Sequence, residues 1–456
     1  MTISENTFAS EYKRKAVHIG SSAFAFLLRW FNWWQGALCA LAALIFNVLI
    51  LPRIGGKSLY RGEDVKRGYP IGIVLYPISV LLLILCMPHH LYVAAAGWGI
   101  MAWGDGFASI FGRKFGKTKI PWNENRSWAG SAAFLVFGAA AAIFFTAWVW
   151  REPSEPRIWS VILIPFLGAF LATIVETIPT GVNDNLTVPL SAGFFMLGLY
   201  QIDPSLLSSK QDQLIHNFIW GASINLALAG ISYALKMVSI SGFISGFLIG
   251  TTLYTFGGYQ GFLVLLAFFI LGSGCTKFGY AYKKSLGVAQ EKGGARGWKN
   301  ATANCSVGTF LAILGILSAQ PLSSIFFAGM FAAFATAAAD TVSSEIGQVL
   351  GKHPILITTL RPVPVGTEGA VSLEGTFAGI VASMIVASLG IVFHMFGWIA
   401  AGFVVVGAFV GTTVESYLGA TLEQMKIIDN EIINFMNTLV GAAATMILLR
   451  IFASLW

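Results

Sequence analysis

Apolar runs about as long as a bilayer's hydrocarbon core is thick follow one another from residue 18 to the end of the chain, and most charged residues fall between them. Only 11% of the 456 residues are Asp, Glu, Lys or Arg, where a soluble domain carries about 25%. That scarcity excludes a water-soluble single core, a disordered chain and a coiled coil. It leaves an all-α, polytopic helical membrane protein. The net charge of +7 is then read as basic loops facing lipid, with no nucleic-acid partner.

Fifteen spans are expected, near 18–34, 36–51, 69–87, 91–110, 129–150, 159–176, 186–200, 215–236, 239–255, 259–276, 302–318, 323–343, 375–397, 400–418 and 432–455. With the N-terminus inside, alternate loops collect 23 of the 28 basic residues. Only Arg29, Arg151, Arg157, Lys210 and Arg450 fall at outer ends. This is the positive-inside pattern, and a wrong span count would scramble it. Residues 1–15 are polar and lack the apolar stretch and cleavage site of a signal peptide, so the first span is expected to insert and stay. Cys39, Cys86, Cys275 and Cys305 are scattered without CxxC spacing and read as core thiols.

Four short correspondences recur at one offset of eight spans. Lys57-Ser-Leu with Arg67-Gly68 matches Lys284-Ser-Leu with Arg296-Gly297. Asp105 through Gly112, followed by Gly116-Lys117, matches Asp340 through Gly347, followed by Gly351-Lys352. Ser127-Trp-Ala-Gly-Ser131 matches Ser372-Leu-Glu-Gly-Thr376, and Glu176 with Asp184-Asn185 matches Glu415 with Asp429-Asn430. An even offset makes the two repeats parallel. The expected organisation is two seven-helix halves, 1–213 and 238–456, joined by a linker helix at 214–237.

Ionisable groups within a span are costly and mark function by default. Asp105, Glu176, Asp340, Glu345 and Glu415 all fall at inner ends of spans and are the candidate catalytic acids. Carboxylates beside amide oxygens suit Mg2+, a hard cation that also holds a polyphosphate. Asp105, Asp184, Asp340 and Glu374 are the candidate metal ligands, and Asn185, Asn430 and Asn437 follow the span-end acids Glu176 and Glu415 in sequence. The loop Gly112-Arg-Lys-Phe-Gly116-Lys117 lets backbone and cations approach phosphate. Its spacing is not that of a Walker A loop. Arg113, Lys117 and Arg126 are assigned to phosphate, whereas Lys114 and Lys119 read as ordinary loop charge. His18 lies one turn inside the first span and is read either as a buried, hydrogen-bonded side chain or as a contact to substrate.

The first half, roughly 10 to 200, resembles the phytol and dolichol kinase family, which is related to the phosphatidate cytidylyltransferases. The resemblance is carried by Arg14-Lys15 with His18, by Gly104 through Gly116, by Pro121 through Ser131, and by Glu176 with Asp184-Asn185. The second half, roughly 238 to 456, resembles the plastid phytyl-phosphate kinase family and its bacterial relatives. There the matching residues are Gly297 with Asn300 and Asn304, Ala339 through Gly347, Gly366 through Thr376, Glu415-Ser416, and Asn434 with Asn437-Thr438. The first resemblance implies phosphorylation of a long-chain isoprenoid alcohol with CTP, and the second implies conversion of the monophosphate to the diphosphate. Ala129 and Arg126 stand where relatives more often carry Glu and Lys.

The resulting expectation is a bifunctional prenyl-alcohol kinase in a bacterial plasma membrane, with Mg2+ as cofactor and its sites on the cytoplasmic face. Its partners would be prenyl alcohols, prenyl phosphates, membrane lipids and CTP or another nucleoside triphosphate. Substrate and nucleotide would meet Lys15, His18, Arg113, Lys117, Asn123, Arg126, Ser127 and Asn185 in the first half. In the second they would meet Arg296, Asn300, Asn304, Lys352, Ser372, Glu374 and Asn437. The alternatives are a cytidylyltransferase making a CDP-activated lipid and a transporter of a phosphorylated lipid. In a transporter, however, polar residues should gather near the midplane. The topology is directly testable: reporters fused after Lys119 or Lys299 should read cytoplasmic, and those after Pro153 or Gln211 should read outside. An outside signal at Lys299 would defeat both the span count and the parallel repeat.

Overall fold

The computed structural model describes residues 14–54, 71–152, 157–179, 181–235, 238–290, 297–425 and 427–453, and it divides the chain between Tyr200 and Gln201. That division falls ahead of the boundary expected after residue 213. Among the described residues, ten helices are long and apolar enough to cross a membrane. The fifteen expected spans are not all of that kind, for local reasons.

In the first unit, the segment expected as a single span at 18–34 is helical over 14–21 and then tightens to a 3-10 helix over Ser22–Arg29. The hydroxyls of Ser21 and Ser22 donate back to the carbonyls of His18 and Ile19, at 2.7 and 2.6 Å. Such bonds compete with the regular helical ladder. The helices that follow are α1 (Trp33–Ile45), α2 (Ile71–Cys86), α3 (Leu91–Gly99), α4 (Gly106–Phe115), α5 (Trp128–Val149), α6 (Ile164–Thr177) and α7 (Asp184–Leu199). α3 and α4 are joined by a π-helical turn, Ile100–Asp105. A two-residue strand β1 (Lys119–Ile120) pairs antiparallel with β2 (Asn123–Ser127), and this hairpin leads into α5. α5 packs against α3, α4 and α6, while α7 packs against α2 and α6. Phe134 and Phe145 of α5 are fully buried with Ile100, Met101, Leu83 and Ile84. Gly99 and Gly104 lie against the two Phe rings, so small residues on one helix make room for large ones on the next.

The second unit contains α8 (Gln211–Ala234), α9 (Ile240–Lys277), α10 (Trp298–Leu317), α11 (Leu322–Leu350), α12 (Leu373–Val392), α13 (Trp398–Leu418) and α14 (Asn430–Ile451). The helix expected as a linker, at 214–237, is α8, and it packs along α9 within this unit. The spans expected at 239–255 and 259–276 are two helical stretches that meet at a kink at Gly258, which takes φ +65°; together they form α9. That backbone conformation favours glycine. α11 is apolar on every side from Ala328 to Ala339 and is buried there throughout, as a central helix should be. α9, α10, α12, α13 and α14 all pack on it. Strands β3 (Ile355–Leu356) and β4 (Ala370–Val371) pair antiparallel between α11 and α12.

One ionic contact stands inside this apolar bundle. Lys283, on the short helix Tyr280–Ser285, pairs with Glu345 of α11. Their side chains are 1% and 4% exposed. The ammonium also donates to the carbonyls of Cys275 and Thr276, at 3.1 and 2.9 Å. Removing one partner of such a pair strands a buried charge, at about 3–5 kcal/mol. Lys283→Met should therefore lower the thermal midpoint of the detergent-solubilised protein sharply, and adding Glu345→Met should recover most of the loss. A Lys283→Met protein as stable as wild type would remove this pair from the list of structural anchors.

Candidate functional site

In the first unit, five charged side chains gather where helices begin and end. The π-helical turn before α4 places Asp105 out of ordinary helical register; such turns frequently accompany functional positions. From the helical segment 14–21, the Lys15 ammonium lies 2.5 Å from Asp105 Oδ2 and 3.4 Å from the Asp105 carbonyl oxygen. His18, one turn further along, places Nε2 3.3 Å from the Met101 carbonyl and 3.5 Å from Asp105 Oδ2. Its ring stands edge-on to Tyr76 at 4.6 Å. The Tyr76 hydroxyl in turn accepts from Trp98 Nε1 at 2.7 Å and lies 2.9 Å from Ser21 Oγ.

Arg126 of β2 bridges the other two acids. One guanidinium nitrogen is 2.8 Å from Glu176 Oε1, and the other pairs with Asp184. Glu176 is 2% exposed at the last turn of α6, and Asp184 opens α7. Glu176 Oε2 is buried without a hydrogen-bond partner among the described residues. It also lies within electrostatic range of Asp105, Asp184 and Lys15. Chemically, the cluster holds two cations on carboxylates that an incoming phosphate could replace.

Other residues expected at this site hold backbone. Asn123 donates to the Thr177 carbonyl at 3.0 Å, and Asn185 donates to the Gly72 carbonyl at 2.9 Å. Ser127 is the N-cap of α5, its hydroxyl accepting from Gly130 N at 3.2 Å. Gly112 and Gly116 pass so close to that hydroxyl that a Cβ at Gly116 would meet it. Arg113 and Lys117 are exposed at and just beyond the end of α4.

The second unit repeats the local framework with different charges. Ser372 caps α12 by accepting from Gly375 N at 3.2 Å, and a Cβ at Gly351 would meet its hydroxyl. Asp340 is buried on α11, and the Asn437 side chain of α14 lies against it. Glu415 of α13 is within electrostatic range of Asp340, Glu423 and Glu368, and accepts from Ser416 Oγ at 3.1 Å. Among the described residues, no Lys, Arg or His forms an ion pair with Asp340, Glu415 or Glu423. Glu345, expected beside Asp340 in a catalytic role, is instead held by Lys283. Asn304 donates to the Asn300 carbonyl at 3.0 Å along α10, and its Oδ1 is buried without a partner. Glu374 lies in the first turn of α12, and Lys352 is exposed beyond α11. Arg296 lies outside the described residues.

Of the four acids expected to bind metal, Asp105 and Asp184 are thus engaged by Lys15 and Arg126. Among the described residues, no set of three His, Cys, Asp or Glu side chains is arranged to hold an ion by itself. Sequence reasoning missed Lys283, which reads as one more basic loop residue, and Glu423, which ends the π-helical turn Gly419–Glu423. The one signal for Glu423 is its position eight residues, about two helical turns, beyond Glu415.

Residues 223–442 match the family described as integral membrane protein DUF92. The chain is 36% identical over 248 residues to an uncharacterized membrane protein of Synechocystis, covering 53% of this chain and 95% of that protein. It is 34% identical over 224 residues to protein VTE6, chloroplastic, of Arabidopsis thaliana, covering 48% and 67%. It is also 30% identical over 202 residues to a protein of Glycine max named probable phytol kinase 1, chloroplastic, covering 41% and 66%. No solved structure matches the chain. The family match over residues 223–442, together with a cyanobacterial relative of which 95% is covered by about half of this chain, places the chain in the DUF92 integral membrane protein family.

Proposed function

We propose that the protein is an isoprenoid kinase that carries a prenyl alcohol to its monophosphate in the first unit and on to the diphosphate in the second. The phosphoryl donor would be a nucleoside triphosphate, CTP by the resemblance of the motifs. The observation that carries this reading is the Lys15–Asp105 and Glu176–Arg126–Asp184 cluster, set at the ends of apolar helices, in a chain similar to one named probable phytol kinase. Such a place lets a phosphate and a lipid meet.

The lipid side is supported by exposed apolar groups around the same helix ends. Trp122 and Trp128 are each more than half exposed and stand edge-to-face at 5.9 Å, with Phe115 exposed beside the hairpin. Aromatic residues of this kind favour the membrane–water interface. The shared capping geometry at Ser127 and Ser372 supports two sites of common design, both on the cytoplasmic face by the distribution of basic loops.

Phosphoryl transfer depends mainly on positioning and charge neutralisation. In the first unit, the lipid hydroxyl would form a bond to the terminal phosphorus as the bond to the nucleoside diphosphate breaks, its proton passing to a carboxylate of the cluster or to water. Lys15 and Arg126 would exchange carboxylate for phosphate as charge moves to the leaving group, and Arg113 and Lys117 would hold the outer phosphates. Magnesium, when bound, would supply further charge neutralisation on the triphosphate. In the second unit the nucleophile is already an anion, so neutralisation outweighs base catalysis.

Purified protein incubated with CTP, Mg2+ and phytol, geranylgeraniol or farnesol should yield lipid monophosphate and diphosphate together with CDP. Pyrophosphate with a CDP-lipid would establish the cytidylyltransferase alternative, and no product at all would overturn both. Asp105→Asn should abolish phosphorylation of free alcohol while sparing conversion of supplied monophosphate. Asp340→Asn should let monophosphate accumulate. If Asp340→Asn blocks the first step as fully as Asp105→Asn, the division of labour is wrong.

A further inference from the structure

Three helices of the second unit cross closely at one level. A Cβ on Gly411 of α13 would lie 2.6 Å from the Asn437 carbonyl oxygen of α14 and 2.6 Å from Thr336 Cγ2 of α11. A Cβ on Gly441 of α14 would meet Thr336 Oγ1. One helical turn from that crossing stand Asp340 on α11, Glu415 on α13 and Asn437 on α14. The turn that carries each residue is therefore fixed by the glycine contacts beneath it.

Asn437 is fully buried with its side chain against Asp340, and its amide oxygen has no hydrogen-bond partner among the described residues. A buried amide left without partners costs about 1–3 kcal/mol, and a buried carboxylate without a counter-charge costs more. Asp340 is 8% exposed, and Glu423 Oε2 is buried without a partner close by. The acids of the first unit carry their own cations, Lys15 and Arg126. Among the described residues, no ion pair serves Asp340, Glu415 or Glu423.

We propose that Asp340, Glu415 and the Asn437 amide oxygen form a divalent-cation site in the second unit, the missing counter-charge being Mg2+. Two carboxylates and one amide leave about three octahedral positions for water and phosphate oxygens, which is how Mg2+ is commonly held. The donor set is all oxygen, so the site selects hard cations over Zn2+. Glu374 is left out of this set, and the first unit's Asp105 and Asp184 are ion-paired with Lys15 and Arg126. The site deepens the kinase reading and rests on it for its purpose, but ion binding can be measured without turnover.

The test uses the full chain in detergent, with Mn2+ as a paramagnetic probe read by loss of the free-ion signal. Wild type should bind one Mn2+ that Mg2+ displaces. Asp340→Asn and Glu415→Gln should each weaken binding by at least about tenfold, while Asp105→Asn leaves it within about twofold. Thermal midpoints supply a second readout. Without metal, Glu415→Gln should melt close to wild type, and Mg2+ should no longer raise its midpoint. Asn437→Asp should instead melt lower without metal and bind Mn2+ more tightly. The proposal is overturned if Glu415→Gln and Asp340→Asn bind Mn2+ as wild type does, or if Asp105→Asn is the variant that abolishes binding. Loss of kinase products with Mn2+ binding intact would instead count against the functional reading alone.

Discussion

A carboxylate at the end of an apolar helix must find its counter-charge within a few ångströms, and in this chain that requirement decides which side chains can act together. In the first unit it is met from within, by Lys15 on Asp105 and by Arg126 shared between Glu176 and Asp184. The consequence is architectural as well as electrostatic. Arg126 joins the hairpin to both α6 and α7, and Lys15 ties the segment 14–21 to the π-helical turn that carries Asp105. In the second unit, Lys283 does the same for Glu345 at almost complete burial. Each pair costs desolvation and fixes a relative position of helices in exchange.

Around these pairs the backbone repeats one local solution. In each unit a long helix ends in glycines that run beneath a serine hydroxyl, and that serine caps the next helix after a two-stranded hairpin. The serine is then unavailable as a free phosphate ligand in its resting arrangement, but it sets where the first turn of the next helix stands. Two side-chain amides do related work: Asn123 and Asn185 donate to carbonyls 54 and 113 residues away in sequence. They are positioning residues for a cluster whose charged members lie on other elements.

Much of the helical framework was legible because a bilayer-length apolar run has few alternatives. The departures have particular causes. Ser21 and Ser22 donate back to carbonyls three residues earlier, which helical periodicity does not reveal. At Gly258, between two expected spans, a single residue at φ +65° kinks the chain, so the two helical stretches follow one another with almost no loop. The acids were legible as a set, because an ionisable group at a span end stands out against its surroundings. Their partners were not. Lys283 and Glu345 are 62 residues apart, and nothing local distinguishes Lys283 from the other basic residues of its loop. Likewise, Asp105 and Asp340 occupy matching positions in sequence, yet one has a lysine on it and the other faces an amide and a second acid.

That difference also bears on the distribution of charge. Residues 1–237 carry a net +6 and residues 238–456 only +1, although on the proposed reading the second site must hold the more highly phosphorylated lipid. On that reading, fixed cations serve where the acceptor is a neutral alcohol, because the only anion to be held is the nucleotide, which Lys15 and Arg126 would help to orient. An acceptor that is already a phosphate brings a second anion against the first. Fixed lysines numerous enough to neutralise both would repel one another whenever the site stood empty inside apolar helices. Carboxylates that recruit a divalent ion avoid this cost, because the ion can enter with its nucleotide and leave with it. The low basic count of the second unit is then a consequence of how its charge is supplied, and not a sign that it handles less phosphate.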